Sequence, residues 1–316
     1  MSNMNKRVFG VIGIVSKMAN WNADFNGYPK TTSKGDVYGS DKALKFPMKK
    51  MWKSNGMPVL YIKTLKLSDS EDGSLVPRSL TESYQKLFDV ADLKAQKNVK
   101  EVATNLFKAV DVKQFGATFA EAGKNISITG AVQIGQGFNK YDEAMVEEQQ
   151  ILSPFRDATK DGKKQEGVEA QNSTIGSKIV SDEAHYVYPF TINPHVYDEF
   201  VDLGITEGYT EEDYENFKDV AIISTTSYST NSKMGCDNEL ALFVETADNY
   251  YLPSLAEYVT FVKGEDGEKN TIQIALKGIV NPSKVQNVEV YYNPSTTNLE
   301  IDVDAKVLNI YTRTEV

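Results

Sequence analysis

The segment NKRVFGVIGIVSK, residues 5–17, decides the fold, because eight apolar or glycine residues stand between a basic start and Lys17. The run superficially imitates a secretory signal, yet Lys17 ends it before a small-residue cleavage site. Val, Phe and Ile are typical of buried strands, so we predict a first strand in the core. No segment approaches the roughly 20 apolar residues that cross a bilayer, so no membrane partner is expected.

Composition predicts an ordered globular protein: 316 residues, 41% apolar and 10% aromatic, suffice for a large core. One elaborated domain and two small ones both fit this length. Cys236 has no second cysteine, and with only His185 and His195 beside it no spacing matches a zinc or haem site. We therefore expect no metal, no cofactor and a reducing, cytoplasmic compartment.

Charge is divided unevenly along the chain. Residues 1–67 hold 12 lysines and arginines against 3 aspartates, a net charge of +9, whereas the remainder carries −19. This division favours one face that attracts a polyanion and another that repels it or meets a basic partner. A solvated lysine surface is the alternative.

Lysine spacing in residues 42–53 predicts a helix with one basic stripe. The stripe residues follow one another by three, four and four positions, and the apolar residues fall opposite. Pro47 leaves a second possibility, a helix that begins only there, with the first two lysines in the preceding loop. The stripe consists of Lys42, Lys45, Lys49 and Lys53, and the apolar side of Leu44, Met48, Met51 and Trp52.

The rest of the chain alternates strand and helix patterns. Together they predict an α+β antiparallel sheet with helices on one side, of the ferredoxin or RNA-recognition type, although the usual aromatic RNA-recognition signature is absent. The glycines of residues 116–137 match no nucleotide-binding loop and predict close backbone approach. We predict strands in 58–67, 113–138, 185–192 and 238–246 and through the C-terminal third, and helices in 77–90, in 98–112 and from Thr210.

Residues 142–182 are polar and weakly periodic, and they lie between two predicted strands. We interpret them as a long functional hairpin. A disordered linker is the alternative, since long insertions in compact domains are usually one or the other.

Six segments, in order, closely resemble the Cas7 backbone subunits of type I-B CRISPR Cascade complexes, which belong to the RAMP superfamily. The resemblance spans nearly the whole chain. The segments are VFGVIGIVSKMANWNADFNGYPKTT, GSDKALKFPMKK, QFGATFAEAGKNISITGAVQIGQGFNK, QQILSPF, IGSKIVSDEAHYVYPFTINP and TNSKMGCDNELALFVET.

The resemblance implies a single domain, residues 1–316: a modified RRM-like, ferredoxin-like antiparallel sheet called the palm, inserted finger elements, and a protruding thumb hairpin near 142–182. It also implies many copies along one CRISPR RNA in a helical filament, other Cascade subunits as partners, and support of guide pairing with target DNA. The lysine-rich stretch 27–53 would grip guide-RNA phosphates.

Site residues follow from the same resemblance. Trp21 could stack on a base, but packing against the core strand is the stronger reading. Thumb residues Ile151, Leu152 and Phe155 would wedge between bases or pack on the next subunit, with Lys178 near phosphates. The phosphate and sugar candidates are Lys17, Asn20, Asn22, Lys30, Ser40, Lys42, Lys45 and Lys49, and the ribose and backbone candidates are Thr129, Gly130, Gln133 and Gln136.

Two other functions remain open at this stage. RAMP relatives of type III cut RNA with a loop aspartate, and Asp24 occupies a broadly similar place, so an endoribonuclease is one alternative. A purely structural filament protein is the other, but it leaves the lysine clustering unexplained. We expect no enzymatic activity.

Overall fold

The computed structural model describes residues 3–68, 73–156 and 172–316. Its helices are α1 (Asp41–Ser54), α2 (Leu80–Phe88), α3 (Val99–Lys108), α4 (Val110–Phe115), α5 (Asp198–Asp202) and α6 (Glu211–Ile223). Its strands are β1 (Lys6–Ala19), β2 (Tyr38–Gly39), β3 (Leu65–Leu67), β4 (Leu75–Pro77), β5 (Gly116–Glu121), β6 (Lys124–Thr129), β7 (Val132–Ile134), β8 (Gly137–Asn139), β9 (Val146–Arg156), β10 (Asn172–Ile192), β11 (Cys236–Ala247), β12 (Val259–Val262), β13 (Asn270–Ile274), β14 (Val285–Tyr292), β15 (Thr297–Ile301) and β16 (Lys306–Asn309).

The first strand lies in the middle of the main sheet, as predicted. The sheet runs in the order β16-β14-β11-β1-β10-β8-β2, with β7 and β9 also paired to β10. Both neighbours of β1 are antiparallel to it, with Ile12 opposite Tyr188 on one side and Ala241 on the other. Val11 and Ile12 are completely buried. The apolar run in β1 therefore anchors both halves of the molecule.

Helices cover one face of this sheet, which confirms that prediction. Leu44 and Trp52 of α1 and Phe217 of α6 join one core with Tyr188 of β10. The opposite face is covered by a second sheet, β12-β13-β15, which packs Ile272 against a separate core. A three-layer arrangement results, and the second sheet explains why β1 is buried on both sides.

Two local predictions were wrong in their bounds. Residues 58–64 form no strand, because Asp111 accepts hydrogen bonds from the backbone N–H groups of Leu60 (2.8 Å) and Tyr61 (2.8 Å). The helix predicted in 98–112 divides into α3 and α4 at Ala109, whose ψ of 120° is extended. The N–H of Val110 then donates to the carbonyl of Pro58 at 2.8 Å. Tertiary hydrogen bonds have replaced local ones in both places.

Helix α1 begins at Asp41 and contains Pro47, so a start at the proline is excluded. The hydroxyl of Ser40 accepts from the N–H of Ala43 at 3.3 Å and caps the helix. Proline is disfavoured inside a helix, but Pro47 is buried together with Leu44 and Trp52. Packing of this apolar face outweighs the lost backbone hydrogen bond. Thr210, from which a helix was predicted, forms a complete capping box with Asp213.

Strands β9 and β10 form the long hairpin predicted for 142–182, and residues 157–171 between them lie outside the described part of the chain. The strands are antiparallel, with Val146 opposite Ser181 and Gln150 opposite Ser177. Beyond Ser181, β10 continues into the main sheet beside β1. Among the described residues, no helix has the length and apolar character needed to cross a membrane.

Candidate nucleic-acid interface

A surface cleft of about 410 Å³ opens beside the start of α1. Four residues selected from the sequence, Lys30, Ser40, Lys42 and Gln136, line it. They come from three separate segments, the loop before β2, the α1 start and the turn before β8. We call this cavity the α1 cleft. Its complete lining is Lys30, Thr32, Tyr38, Ser40, Asp41, Lys42, Gln136 and Phe138.

The loop that carries Lys30 is folded back on itself by backbone pairing. Ala23 bridges to Pro29 and Thr31 to Val37, and the N–H of Tyr38 donates to the carbonyl of Lys30 at 2.9 Å. These bonds hold Lys30 beside Tyr38, with the ammonium 5.9 Å from the ring centre. The loop therefore presents its lysine from a defined backbone.

Asn22 braces the cleft rather than lining it. Its side-chain Oδ1 accepts from the N–H of Ser40 at 2.8 Å, while the hydroxyl of Ser40 caps α1. The structure thus brings Asn22 and Ser40 together, and their mutual contacts position the α1 start. Direct contact of either with RNA stays a prediction.

Asp41 places a carboxylate in the cleft. Its Oδ2 lies 2.9 Å from the ammonium of Lys45. Burial opposes ionisation, but the bonds from Lys45 and Gln136 outweigh it, so the pKa of Asp41 lies below its ordinary value. The charge of Lys45 is therefore partly committed to Asp41.

Lys49 does not lie free on an exposed helical face, and that expectation was wrong. Its ammonium lies 3.5 Å from Asp111, whose side chain is 0% exposed, and donates to the carbonyl of Tyr61 at 3.3 Å. Burial lowers the pKa of Lys49 below its ordinary value despite the pairing with Asp111. The lysine stripe of α1 therefore divides: Lys42 and Lys53 are exposed, and Lys49 joins α1 to α4.

Lys17 and Asn20 lie at the base of the β9–β10 hairpin. Lys17 is exposed and 3.5 Å from Glu183. Asn20 is only 5% exposed, and its amide donates to the carbonyls of Gly27 (2.8 Å) and Ile179 (3.2 Å). Asn20 is thus not the surface residue that we expected, because it ties the loop after β1 to the hairpin.

Thr129, Gly130 and Gln133 form the turn between β6 and β7. Thr129 and Gln133 are exposed, and the Gln133 amide donates to the carbonyl of Gly130 at 2.8 Å. A Cβ on Gly130 would lie 2.1 Å from the backbone of Phe115, so this position requires glycine, as the close-approach prediction states. The ring of Phe115 lies 5.1 Å from the ammonium of Lys45. This turn is therefore linked to α1 through Phe115 and Lys45.

Trp21, the stacking candidate from the sequence, is not available for stacking, but two other aromatic residues are exposed. Trp21 is 1% exposed and donates to the hydroxyl of Tyr188 at 2.5 Å, so the packing interpretation is confirmed. Phe138, 42% exposed, lies in the α1 cleft, and Phe25 is fully exposed at a loop tip. Both follow residue types that are common in turns, Asp24 and Gly137, and this is the sequence signal that indicates an exposed aromatic side chain.

The predicted thumb residues of the hairpin differ in their exposure to solvent. Ile151 is exposed and Lys178 is half-buried. The side chains of Leu152 and Phe155 lie outside the described residues. Tyr28 donates to Glu148 at 3.0 Å and so joins the hairpin to the loop that carries Lys30.

Asp24 and the two histidines have structural partners. The Asp24 carboxylate accepts from the N–H groups of Asn26 (2.8 Å) and Tyr28 (3.0 Å) and so shapes its turn. His185 is buried between Glu239 (2.8 Å) and Glu183 (3.0 Å). In residues 3–68, 73–156 and 172–316, no group of three His, Cys, Asp or Glu side chains has a metal-binding arrangement.

Comparison with known proteins gives one family match. The family model described as CRISPR-associated protein Cas7 matches residues 6–280. No curated protein matches the chain. Two solved structures are similar to it: a "CRISPR RNA-guided surveillance complex, pre-nicking" chain (14% identity, 93% of this chain and 96% of that chain, TM-score 0.45) and a "CRISPR RNA-guided surveillance complex" chain (15% identity, 96% and 93%, TM-score 0.46).

Proposed function

We propose that this chain, which belongs to the CRISPR-associated protein Cas7 family, binds CRISPR RNA as a backbone subunit of a Cascade surveillance complex. The observation that carries the proposal is the α1 cleft. Lys30, Ser40, Lys42 and Gln136 were selected from the sequence, and they meet around one cavity although Gln136 lies 94 positions beyond Lys42. A chance set of surface residues has no reason to converge in this way.

The cleft suits a nucleic-acid strand whose sequence is read elsewhere. Lysines hold phosphates as point charges and do not distinguish bases, and an exposed ring such as Phe138 stacks on any base. Sequence would be read by pairing between the guide and its target, as in other RNA-guided effectors. The net charge of −19 outside residues 1–67 would limit binding of nucleic acid to other faces.

The finer parts of the proposal rest on the family resemblance. We assign the chain to subtype I-B, with other Cascade subunits and further copies of itself as partners along the guide, and target DNA paired to that guide. The expected compartment is the cytoplasm. We propose no nuclease activity, because Oδ1 of Asp24 accepts hydrogen bonds from two backbone N–H groups and so shapes its own turn.

Purification followed by titration tests this function. The protein should copurify with host RNA of uniform length, and the RNA-free protein should bind unrelated single-stranded RNAs with similar affinity. The logarithm of the binding constant should fall linearly with the logarithm of salt concentration, with a slope of about −0.7 per phosphate contacted.

Two variants locate the contact. Lys42→Ala should reduce that slope by about one phosphate contact, and the matched control Lys53→Ala, on the same helix but outside the cleft, should leave it unchanged. Strong preference for one RNA sequence, or binding that is insensitive to salt, would contradict the backbone role.

A further inference from the structure

One lysine outside the α1 cleft is bonded to the loop that builds it. Lys233 lies in the connection between α6 and β11, and its side chain is half-buried. Its ammonium donates hydrogen bonds to the carbonyls of Asn20, at 2.7 Å, and of Trp21, and it lies 5.3 Å from the Trp21 ring centre. Lys233 therefore binds two consecutive backbone groups just after β1.

The partners of this cation include no acid. Burial lowers the pKa of Lys233 below its ordinary value, and no carboxylate among the described residues offsets that shift. Carbonyl oxygens and an aromatic face stabilise an ammonium without neutralising it. Asn20 and Trp21 lie beyond the end of β1 at Ala19, so their carbonyls need a donor from outside the strand. Lys233 thus serves two backbone carbonyls and no ion pair.

Asn22, the next residue in the chain, holds two walls of the α1 cleft. Its backbone carbonyl accepts from the N–H of Lys30 at 2.9 Å, and its side-chain Oδ1 accepts from the N–H of Ser40 at 2.8 Å. Both Lys30 and Ser40 line the cleft. A shift of Asn22 would therefore move a cation of the cleft and the start of α1 at the same time.

The side chain of Trp21 is held at the same place by the core. Its indole N–H donates to the hydroxyl of Tyr188, and a Cβ on Gly39 would lie 2.6 Å from the indole nitrogen. Gly39 is the residue before Ser40. Tyr188 fixes the ring of Trp21 and Lys233 fixes its carbonyl, so the loop after β1 is held on both sides.

We propose that Lys233 is a positioning residue for the α1 cleft, which it keeps ready for RNA by fixing the backbone that leads into Asn22. The inference rests on the proposed function and adds a residue that does not line the cleft. Without this lysine, only the fraction of molecules whose loop keeps its conformation would be competent to bind. The apparent affinity for RNA would fall by that fraction.

The test compares Lys233→Met with wild type, both as full-length, RNA-free protein. Fluorescence anisotropy measures the binding of a labelled single-stranded RNA at several salt concentrations. The variant should bind roughly 10-fold more weakly, as expected when hydrogen bonds from a charged group no longer hold the loop. The slope of affinity against salt should stay the same, because the number of phosphate contacts is unchanged.

Two further substitutions at this position grade the effect. Lys233→Arg keeps the charge and can donate to two acceptors, so it should restore most of the affinity. Lys233→Gln keeps a shorter, neutral donor and should lose only part of the affinity. Lys233→Gln is the variant to measure if methionine prevents folding.

Lys218→Met is the matched control, because it removes another buried lysine. Lys218 is only 8% exposed and pairs with Glu289. Its loss should lower Tm and leave RNA affinity unchanged, which separates positioning from general stability. Hydrogen exchange of the RNA-free protein is the second measurement. In Lys233→Met the backbone N–H groups of Lys30 and Ser40 should exchange faster than in wild type, whereas those of α3 should not.

Three results would overturn the proposal. Equal RNA affinity of Lys233→Met and wild type, with a lower Tm or without, would leave Lys233 a purely structural role. A salt slope reduced by about one phosphate contact would make Lys233 a direct RNA contact instead. Unchanged exchange at Lys30 and Ser40 would show that the loop does not depend on this lysine. Failure of wild type to bind RNA would refute the proposed function, and the exchange result would then decide whether Lys233 fixes the loop.

Discussion

Replacement of Lys49 by methionine separates a structural lysine from those that are proposed to bind RNA. Lys49 joins α1 to the buried carboxylate of Asp111, and methionine retains most of the apolar stem while it removes the charge. Loss of one partner from a buried ion pair costs about 3–5 kcal/mol. Asp111 keeps its hydrogen bonds from Leu60 and Tyr61, so we expect a smaller loss of about 2–3 kcal/mol in the free energy of unfolding.

Thermal unfolding provides the assay. A loss of this size should lower Tm by roughly 3–5 °C, because the entropy of unfolding is about 2.1 cal/mol/K per residue and the chain has 316 residues. Lys42→Met is the matched control, because the same substitution in the same helix removes an exposed lysine of the cleft. It should change the free energy of unfolding by less than about 0.5 kcal/mol and weaken RNA binding. An unchanged Tm for Lys49→Met together with loss of RNA binding would refute the structural role of Lys49.

Replacing residues 146–180 by a short glycine-containing turn should leave a folded monomer, because β9 pairs with β10 alone. This variant should bind short RNA weakly and form no long guide-bound arrays. Sedimentation and electron microscopy measure array formation, and normal arrays would contradict the thumb role. His185 is the basis of a pH prediction. Burial lowers its pKa, but Glu239 and Glu183 outweigh burial and raise it above the ordinary 6.5, so its stabilising contribution is present below pH 6.5 and is lost as pH rises through the raised value. Glu183 stays ionised from pH 6 to pH 9, because it is paired with Lys17 and Lys263. His185→Gln should therefore flatten the decline of Tm from pH 6 to pH 9. Parallel profiles of Tm against pH for wild type and variant would contradict this. Asp24→Ala should cause no change in cleavage of bound RNA in the presence of Mg²⁺, and cutting by wild type that this variant abolishes would establish a nuclease.

The sequence by itself determined the elements whose signals are local. The apolar run of β1, the strand predicted in 185–192 and the helix predicted from Thr210 agree with the structure, because residue type and period act within one element. The polar stretch 142–182 predicted the hairpin of β9 and β10, and the family resemblance added four of the eight residues that line the α1 cleft. The lysine content of residues 27–53 indicated where a polyanion would bind.

Only the tertiary structure decided which of these lysines are available. Lys42 and Lys49 have the same residue type on one predicted stripe, yet Asp111, 62 positions beyond Lys49, removes one of them from the surface. Tertiary packing also decides which aromatic side chain is available for stacking. Trp21 is buried and donates a hydrogen bond to Tyr188, whereas Phe138 remains exposed. Burial and pairing depend on which distant segments are packed together, and no local pattern carries that information.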